Sequence, residues 1–384
     1  MSDRTQVSES AANGLRKFSE TIDQSPVMVG FDGFVDSIIA VVNTRQDAEN
    51  FQPMDTIEQF GQKIVAAAGQ SSNYELVVKL EKLGGNGPIM ANALRSMGFP
   101  LTYVGALGHP AIHPVFEDMA NGSDACHSIC EPGYTDALEF DDGKLMLGKI
   151  TMLNSVNWEH LASVVGVETL AAIVDKCHLL GMVNWTMLPY MNTIFRALID
   201  ELLPKSSRKR PDRRVFIDLA DPEKRTREDL LGVLQMLKDF EAFAKVTLGL
   251  NLKESTQAAE VLGIAITSEP EASIQQTAAA IREVLSIDSV VIHPRAGAAA
   301  ACKNAEGSVD VAAFKGPFVA RPKISTGAGD HFNAGFCLGQ LVGLPVEQAL
   351  CVGTATSGFY VRNAESPTIK QLADFCDQLP DPEG

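Results

Sequence analysis

Residues 323–336, KISTGAGDHFNAGF, place Gly327, Ala328 and Gly329 directly before an acid, Asp330. The chain then turns apolar, with Phe332, Phe336 and Leu338 at helical spacing. Small residues let a backbone approach a ligand closely. The first N–H groups of the helix that follows lack internal partners and carry the positive end of its dipole. Such a loop suits a phosphate, or the charge that develops on a transferring phosphoryl group. A carboxylate beside it can take the proton of an attacking hydroxyl. The same acid can also be a plain helix cap, and the stretch alone leaves both roles open.

Outward from this stretch, short apolar runs alternate with helical patterns, which predicts a mainly parallel α/β sheet. The strands expected are PVMVGFDGF, LTYVGALG, HLLGMVN, RVFIDLA, KVTLGLN and SVVIHP. Helices such as GPIMANALRSMG, MNTIFRALIDELL, TREDLLGVLQMLKDFEAF and SIQQTAAAIREVL lie between them, and from about Ser325 the chain reads as helical nearly to its end. Thr135–Met152 breaks the rhythm: it alternates, turns at Asp142-Gly143 and alternates again, as a β-hairpin does. We expect one α/β domain over residues 1–384, with a small β lid from segments 36–50 and 126–152. A second hairpin is expected in AGAAAACKNAEGSVDVAAF.

The formal net charge of −16 argues against general binding to nucleic acid or acidic membranes. The basic run KSSRKRPDRR, Lys205 to Arg214, lacks interleaved aromatics and reads as a solvated loop. No apolar run is long enough for a membrane span, and the polar start MSDRTQVSESAANGLRKF has no signal core, so a cytoplasmic protein is expected. Seven cysteines without a Cys-x-x-Cys pair favour reduced thiols. His109 and His113 are each followed by proline, which disfavours a helical metal pair.

Further candidates fall in order along the chain. Asn251 and Glu254, three apart just after a strand, can share a helix face and point at a metal–phosphate group. Magnesium keeps several waters and takes few protein oxygens, so one carboxylate acting through water suffices. A capped surface helix is the plain alternative. Gly84, Gly85 and Asn86 form a glycine turn ahead of a helix. Asp32 and Asp36 follow the first strand, and either carboxylate offers two acceptor oxygens to a diol.

STGAGDHFNAGF resembles the C-terminal motif of the ribokinase or PfkB family of carbohydrate and nucleoside kinases, with Asn251-x-x-Glu254 and the Gly84-Gly85 pair in matching order. The resemblance implies a ribokinase-like doubly wound sheet flanked by helices, with a small β lid. It also implies a backbone anion hole from Gly327, Ala328, Gly329 and Asp330, with Asp330 as catalytic base. Gly84, Gly85 and Asn86, with Asp36 or Asp32, would bind the acceptor; Ile89 stands where the family often has Asn. Asn251, Glu254, His293, Arg295, Gly297, Thr326 and Asn363 would face the nucleotide, with Asn251 and Glu254 towards Mg2+. Asn363, in VRNAESPT, stands where glycine is common in the segment that closes the adenine pocket, and Asn tolerates a left-handed backbone. Ile324 replaces the acid that holds a monovalent cation in some members, which argues against a potassium site.

The implied reaction is transfer of the ATP γ-phosphoryl group to a hydroxyl of a small sugar, polyol or nucleoside. The alternatives are an ADP-dependent sugar kinase and a non-catalytic sugar- or nucleotide-binding protein on the same fold. A dinucleotide-dependent dehydrogenase is disfavoured, because the first strand lacks Gly-x-Gly-x-x-Gly. An exposed lid edge offers a route to a homodimer.

Overall fold

The structure is a computed structural model that describes residues 3–206 and 212–383. Its strands are β1 (Val27–Phe31), β2 (Phe34–Arg45), β3 (Phe51–Pro53), β4 (Leu76–Gly84), β5 (Leu101–Gly105), β6 (Ala125–Ser128) and β7 (Gly133–Phe140). They continue with β8 (Gly143–Lys149), β9 (Leu179–Met182), β10 (Arg214–Asp218), β11 (Lys245–Leu250), β12 (Ser289–Ile292), β13 (Gly297–Lys303) and β14 (Val309–Lys315).

The main sheet runs β14-β13-β12-β11-β10-β9-β1-β5-β6. From β12 to β6 every neighbouring pair is parallel; β13 and β14 add the expected antiparallel hairpin at one edge. β1, β9 and β12 are buried along their whole length, as strands covered on both faces must be. Val27 and Val29 pack with Met90 and Leu94 on one side, and Met28 packs with Leu180 and Trp185 on the other. Strand order reverses between β1 and β9. In an open α/β sheet that is where a ligand crevice opens, at the carboxyl ends of the strands.

From Ala328 the chain is helical as read, with helices Ala328–Val342, Val346–Asn363 and Ile369–Asp377. The polar N-terminus forms a helix that composition did not suggest. Arg4–Ser19 starts at an Asp3 cap and buries Val7, Ala11, Ala12 and Leu15 in the core that these helices share. Within the basic run, residues 207–211 lie outside the described residues. Arg213 is buried rather than solvated, and its guanidinium donates to the Ser206 hydroxyl at 3.0 Å.

A second sheet contains β3-β2-β7-β8, with β4 also pairing with β2. Its composition corrects the expected lid. β6, part of segment 126–152, pairs with β5 in the main sheet, whereas the unforeseen β4 belongs to the lid. β4 is LVVKLEKLG; Leu76, Val78 and Leu80 stay exposed, so no buried alternation marks it. The β7–β8 turn is Asp141-Asp142, because Gly143 already pairs with Phe140. Asp142 spends its carboxylate on the Ile57 N–H at 2.8 Å, which docks the turn against the helix Ile57–Ala66.

All seven cysteines are free thiols. Among the described residues no helix is long and apolar enough to cross a membrane.

Candidate active site

Five polar residues sit at or just beyond the carboxyl ends of neighbouring parallel strands: Asp32 after β1, Asn184 after β9, Asp218 ending β10, Asn251 after β11 and His293 after β12. The strands are paired nearly level at these ends, Gly30 with Met182, Met182 with Ile217, and Leu250 with Ile292. Register alone therefore brings these five residues to one edge of the sheet.

Two adjoining cavities occupy it. The first, of about 460 Å3, is lined by Asp36, Thr135 and Gly148 from the lid. Gly85, Asn86, Asn184, Asp218, Asp221, Lys224, Glu254, Thr326, Gly327 and Asp330 supply the rest of its polar and glycine lining. The second, of about 420 Å3, lies between the β13–β14 hairpin and the helix Val346–Asn363. Arg295, Gly297, Phe318, Ala328, Thr354 and Gly358 contribute to its wall. Asn251, His293 and Gly329 face both.

Asp330 stands in the first turn of Ala328–Val342, beneath the N-cap Gly327, whose φ of 88° is left-handed and so suits glycine. Its Oδ1 accepts from Asn86 Nδ2 at 2.9 Å. Burial pushes its carboxyl up to about 7, with the charges of Asp32 and Glu254 adding to the shift and the Asn86 bond opposing it. Of the loop N–H groups read as an anion hole, that of Ala328 closes a turn on the Ser325 carbonyl at 3.2 Å. Among the described residues no such backbone bond takes up the N–H groups of Gly327 and Gly329, and both residues line the first cavity.

The two candidate acceptor acids separate cleanly. Asp32 is fully buried and does not line the cavity. Its carboxylate accepts from the backbone N–H groups of Asn86 and Gly87, at 3.0 and 2.8 Å, and from Asn184 Nδ2 at 2.6 Å. It anchors the glycine turn to the end of β1, and burial holds it at about 6. Asp36 does line the cavity, from the lid strand β2, and burial raises its carboxyl while a hydrogen bond from Thr135 opposes the rise. Gly84 touches no ligand space; a methyl there would overlap the Asp36 carboxylate, so its bareness makes room for that acid.

Asn251 and Glu254 form a reciprocal cap at the start of the helix Leu252–Val261, so the helix-cap reading holds. Glu254 is nonetheless buried and faces the first cavity. Its oxygens accept from Asn251 N at 2.8 Å and Asp221 N at 2.9 Å, and burial plus the charge of Asp218 push it up to about 8. Asp218 rises to about 7 through burial and the charge of Asp330, against a 2.7 Å bond from Asn333.

Arg295 and Gly297 line the second cavity, with Arg295 over the Phe318 ring at 5.7 Å. His293 stacks on Phe332 with centroids 4.6 Å apart, and burial lowers its imidazole to about 4. Thr326 belongs to the first cavity instead. Asn363 lines neither: it ends its helix in solvent, and the left-handed residue is Ala364.

Sequence reading passed over Asn184, Asp218, Asp221 and Lys224. Their position at strand ends was the available signal. Asn184, Ala220 and Asp221 carry positive φ, a local strain that side-chain patterns do not display.

Comparison with known proteins agrees with this architecture. The sequence profile of the family described as prokaryotic ketohexokinase matches residues 3–379. A ketohexokinase of Haloferax volcanii is 30% identical over 368 residues, spanning 95% of this chain and 94% of that protein. A ribokinase of Cryptococcus neoformans in complex with ADP superimposes with a TM-score of 0.60 at 16% identity, over 91% of this chain and 99% of its own. An Arabidopsis thaliana ribokinase complexed with ribose and ATP gives 0.60 at 15%, over 92% and 98%. The adenosine kinase of Sinorhizobium meliloti gives 0.61 at 14%, over 92% and 98%.

Proposed function

This chain belongs to the prokaryotic ketohexokinase family and is a sugar kinase, a phosphotransferase acting on an alcohol group, and on that premise we propose that it transfers the γ-phosphoryl group of ATP to a hydroxyl of a ketohexose. The observation that carries the proposal is Asp330: a buried carboxylate near its neutral point, at a helix N-terminus, beside the wall that two cavities share.

In this reading the acceptor occupies the first cavity and the nucleotide the second. Asp330 takes the proton of the attacking hydroxyl. The N–H groups of Gly327 and Gly329, at the positive end of the helix dipole, stabilise charge on the moving phosphoryl group. Asn86 holds the Asp330 carboxylate in place, and Asp36 accepts hydrogen bonds from sugar hydroxyls. Among the described residues, Lys224 is the one lysine or arginine in the lining of the first cavity, beside Asp36, Asp218, Asp221 and Glu254, which leaves little to hold an acceptor already carrying phosphate. Closure of the lid over the cleft excludes water and so limits wasteful hydrolysis.

The residues fit magnesium carried by the nucleotide rather than caged by protein. Among the described residues no three of His, Cys, Asp and Glu are gathered to hold an ion. Both Glu254 oxygens already accept one N–H each, leaving lone pairs for water-mediated contact. Glu254 and Asn251 would hold the ion in that way, and when bound it offsets the charge of the triphosphate.

A panel of ketohexoses, aldohexoses, ribose, inositol and adenosine with ATP and magnesium, read by ADP release, tests the assignment. Turnover should be fastest with a ketohexose, and with ADP as donor, read by AMP release, it should be negligible. Preference for a nucleoside, or for ADP, would overturn it.

A further inference from the structure

Against the anion loop lies a pair of rings that lines neither cavity. The His331 imidazole stacks on the Tyr360 phenol, with centroids 3.5 Å apart and planes inclined by 13°. Each ring bonds one carbonyl of the loop. The Tyr360 hydroxyl donates to the Thr326 carbonyl at 3.0 Å, and His331 Nδ1 lies 2.8 Å from the Gly327 carbonyl.

A carbonyl can only accept, so Nδ1 carries the proton and Nε2 must accept. The structure supplies its donor, because Ser366 Oγ sits 2.9 Å from Nε2. Asn92 Nδ2 points to the same hydroxyl at 3.4 Å, and Ser96 Oγ donates to the Ser366 carbonyl at 3.0 Å. Donors and acceptors thus follow one polarity, from Asn92 through Ser366 and His331 to the Gly327 carbonyl. Asn92 and Ser96 lie on the helix Asn86–Met97, whose first residue holds Asp330. Burial lowers the His331 imidazole to about 4, which keeps it neutral and this tautomer available at neutral pH. Burial and the charges of Asp330 and Asp36 raise the Tyr360 phenol to about 12, so it remains a donor.

A trans peptide is planar, with its N–H opposite its C=O. Fixing the Thr326 carbonyl therefore fixes the direction of the Gly327 N–H. Fixing the Gly327 carbonyl aims the Ala328 N–H, which closes the turn on Ser325. We propose that the stacked His331–Tyr360 pair, locked by Ser366, positions the phosphoryl-stabilising loop and so sets the rate of transfer without contacting either substrate. The segment around Ser366 then serves the transferring end of the nucleotide rather than its base. This inference rests on the assignment of the Gly327–Asp330 loop to the phosphoryl group.

Four variants of the full chain test it: His331→Phe, His331→Asn, Tyr360→Phe and Asp330→Asn. Phe keeps a flat ring at 331 and loses both hydrogen bonds; Asn can place an amide N–H where Nδ1–H was. Each variant is measured for kcat, for KM of sugar and of ATP, and for melting temperature. Its affinity for ADP is compared with that for ADP plus aluminium fluoride, a mimic of the moving phosphoryl group, in the presence of sugar. His331→Phe and Tyr360→Phe should lose about 10- to 100-fold in kcat. They should weaken the aluminium fluoride complex by a similar factor while holding ADP alone and both KM values within about twofold, and His331→Asn should recover most of the loss. Unchanged kcat in His331→Phe and Tyr360→Phe, beside a wild type that Asp330→Asn silences, overturns the clamp alone. So does an equal loss of affinity for ADP itself, the mark of a merely structural role. Absence of wild-type turnover overturns the loop assignment and the clamp with it.

Discussion

Asn86 Nδ2 and Asp330 Oδ1 lie 2.9 Å apart, joining the residue that opens one helix to an acid in the first turn of another, 244 positions along the chain. The bond favours the charged carboxylate, against burial and two neighbouring acids that favour the neutral form. Removing the donor in Asn86→Ala should therefore raise the Asp330 pKa further and free its carboxyl to rotate. The expected outcome is a kcat about 10- to 100-fold lower at pH 7, with the alkaline rise of the pH–rate profile displaced upward. An undisplaced profile would show that the amide does not tune the base.

Asp330→Asn keeps the size of the side chain and removes its ability to accept a proton. Loss of a positioned general base costs about 10²- to 10⁴-fold. ADP affinity, measured by calorimetry, should stay near that of the wild type. Near-normal turnover would remove Asp330 from the mechanism.

Gly84→Ala tests the acceptor side without touching a candidate ligand. The added methyl overlaps the Asp36 carboxylate and must displace it. The KM for sugar should rise about tenfold or more, with the KM for ATP unchanged, as expected for a lost charge-assisted contact to a hydroxyl. A parallel rise in both constants would point to a general disturbance of the lid hinge instead.

The buried acids also set the pH dependence of stability. Asp32, Asp218, Asp330 and Glu254 have folded pKa values of about 6, 7, 7 and 8, above the ordinary carboxylate range. The folded state therefore holds protons that the unfolded chain has released, so their contribution is fully present below about pH 4 and is lost as pH rises through 6 to 8. His293 and His331 act oppositely, but only below about 6.5, where the unfolded imidazoles take up protons that the folded ones refuse. Between pH 6.5 and 8 the buried acids dominate, and above that the thiols of Cys126, Cys130 and Cys302, pushed up to about 11 by burial, act in the same direction. The melting temperature of the ligand-free protein should fall across that window, and Asp218→Asn should flatten the fall. A melting temperature that rises with pH there would contradict the assigned shifts.

The fold was legible where one rule acted alone. Fully buried parallel strands such as Val27–Phe31 and Ser289–Ile292 announce themselves as apolar runs, and their flanking helices keep a single face. Leu76–Gly84 did not, because its stability comes from pairing with β2 rather than from a buried side. The loop at Asp330 was legible because contiguous residues build it. Asp218 and Asn184 were not, since their place depends on which strands become neighbours, a property of topology that no local spacing encodes. Asp32 and Asp36 could not be told apart from a string, because the difference lies in three donors that arrive from Asn86, Gly87 and Asn184.

The wall shared by the two cavities has a kinetic consequence. Asn251, His293 and Gly329 face both chambers, so a donor and an acceptor seated as proposed would meet along these residues and could be bound at once. A single in-line displacement in a ternary complex needs no phosphorylated enzyme. Initial-rate plots against one substrate at fixed levels of the other should then intersect rather than run parallel, and a chiral γ-phosphoryl group should emerge with inverted configuration.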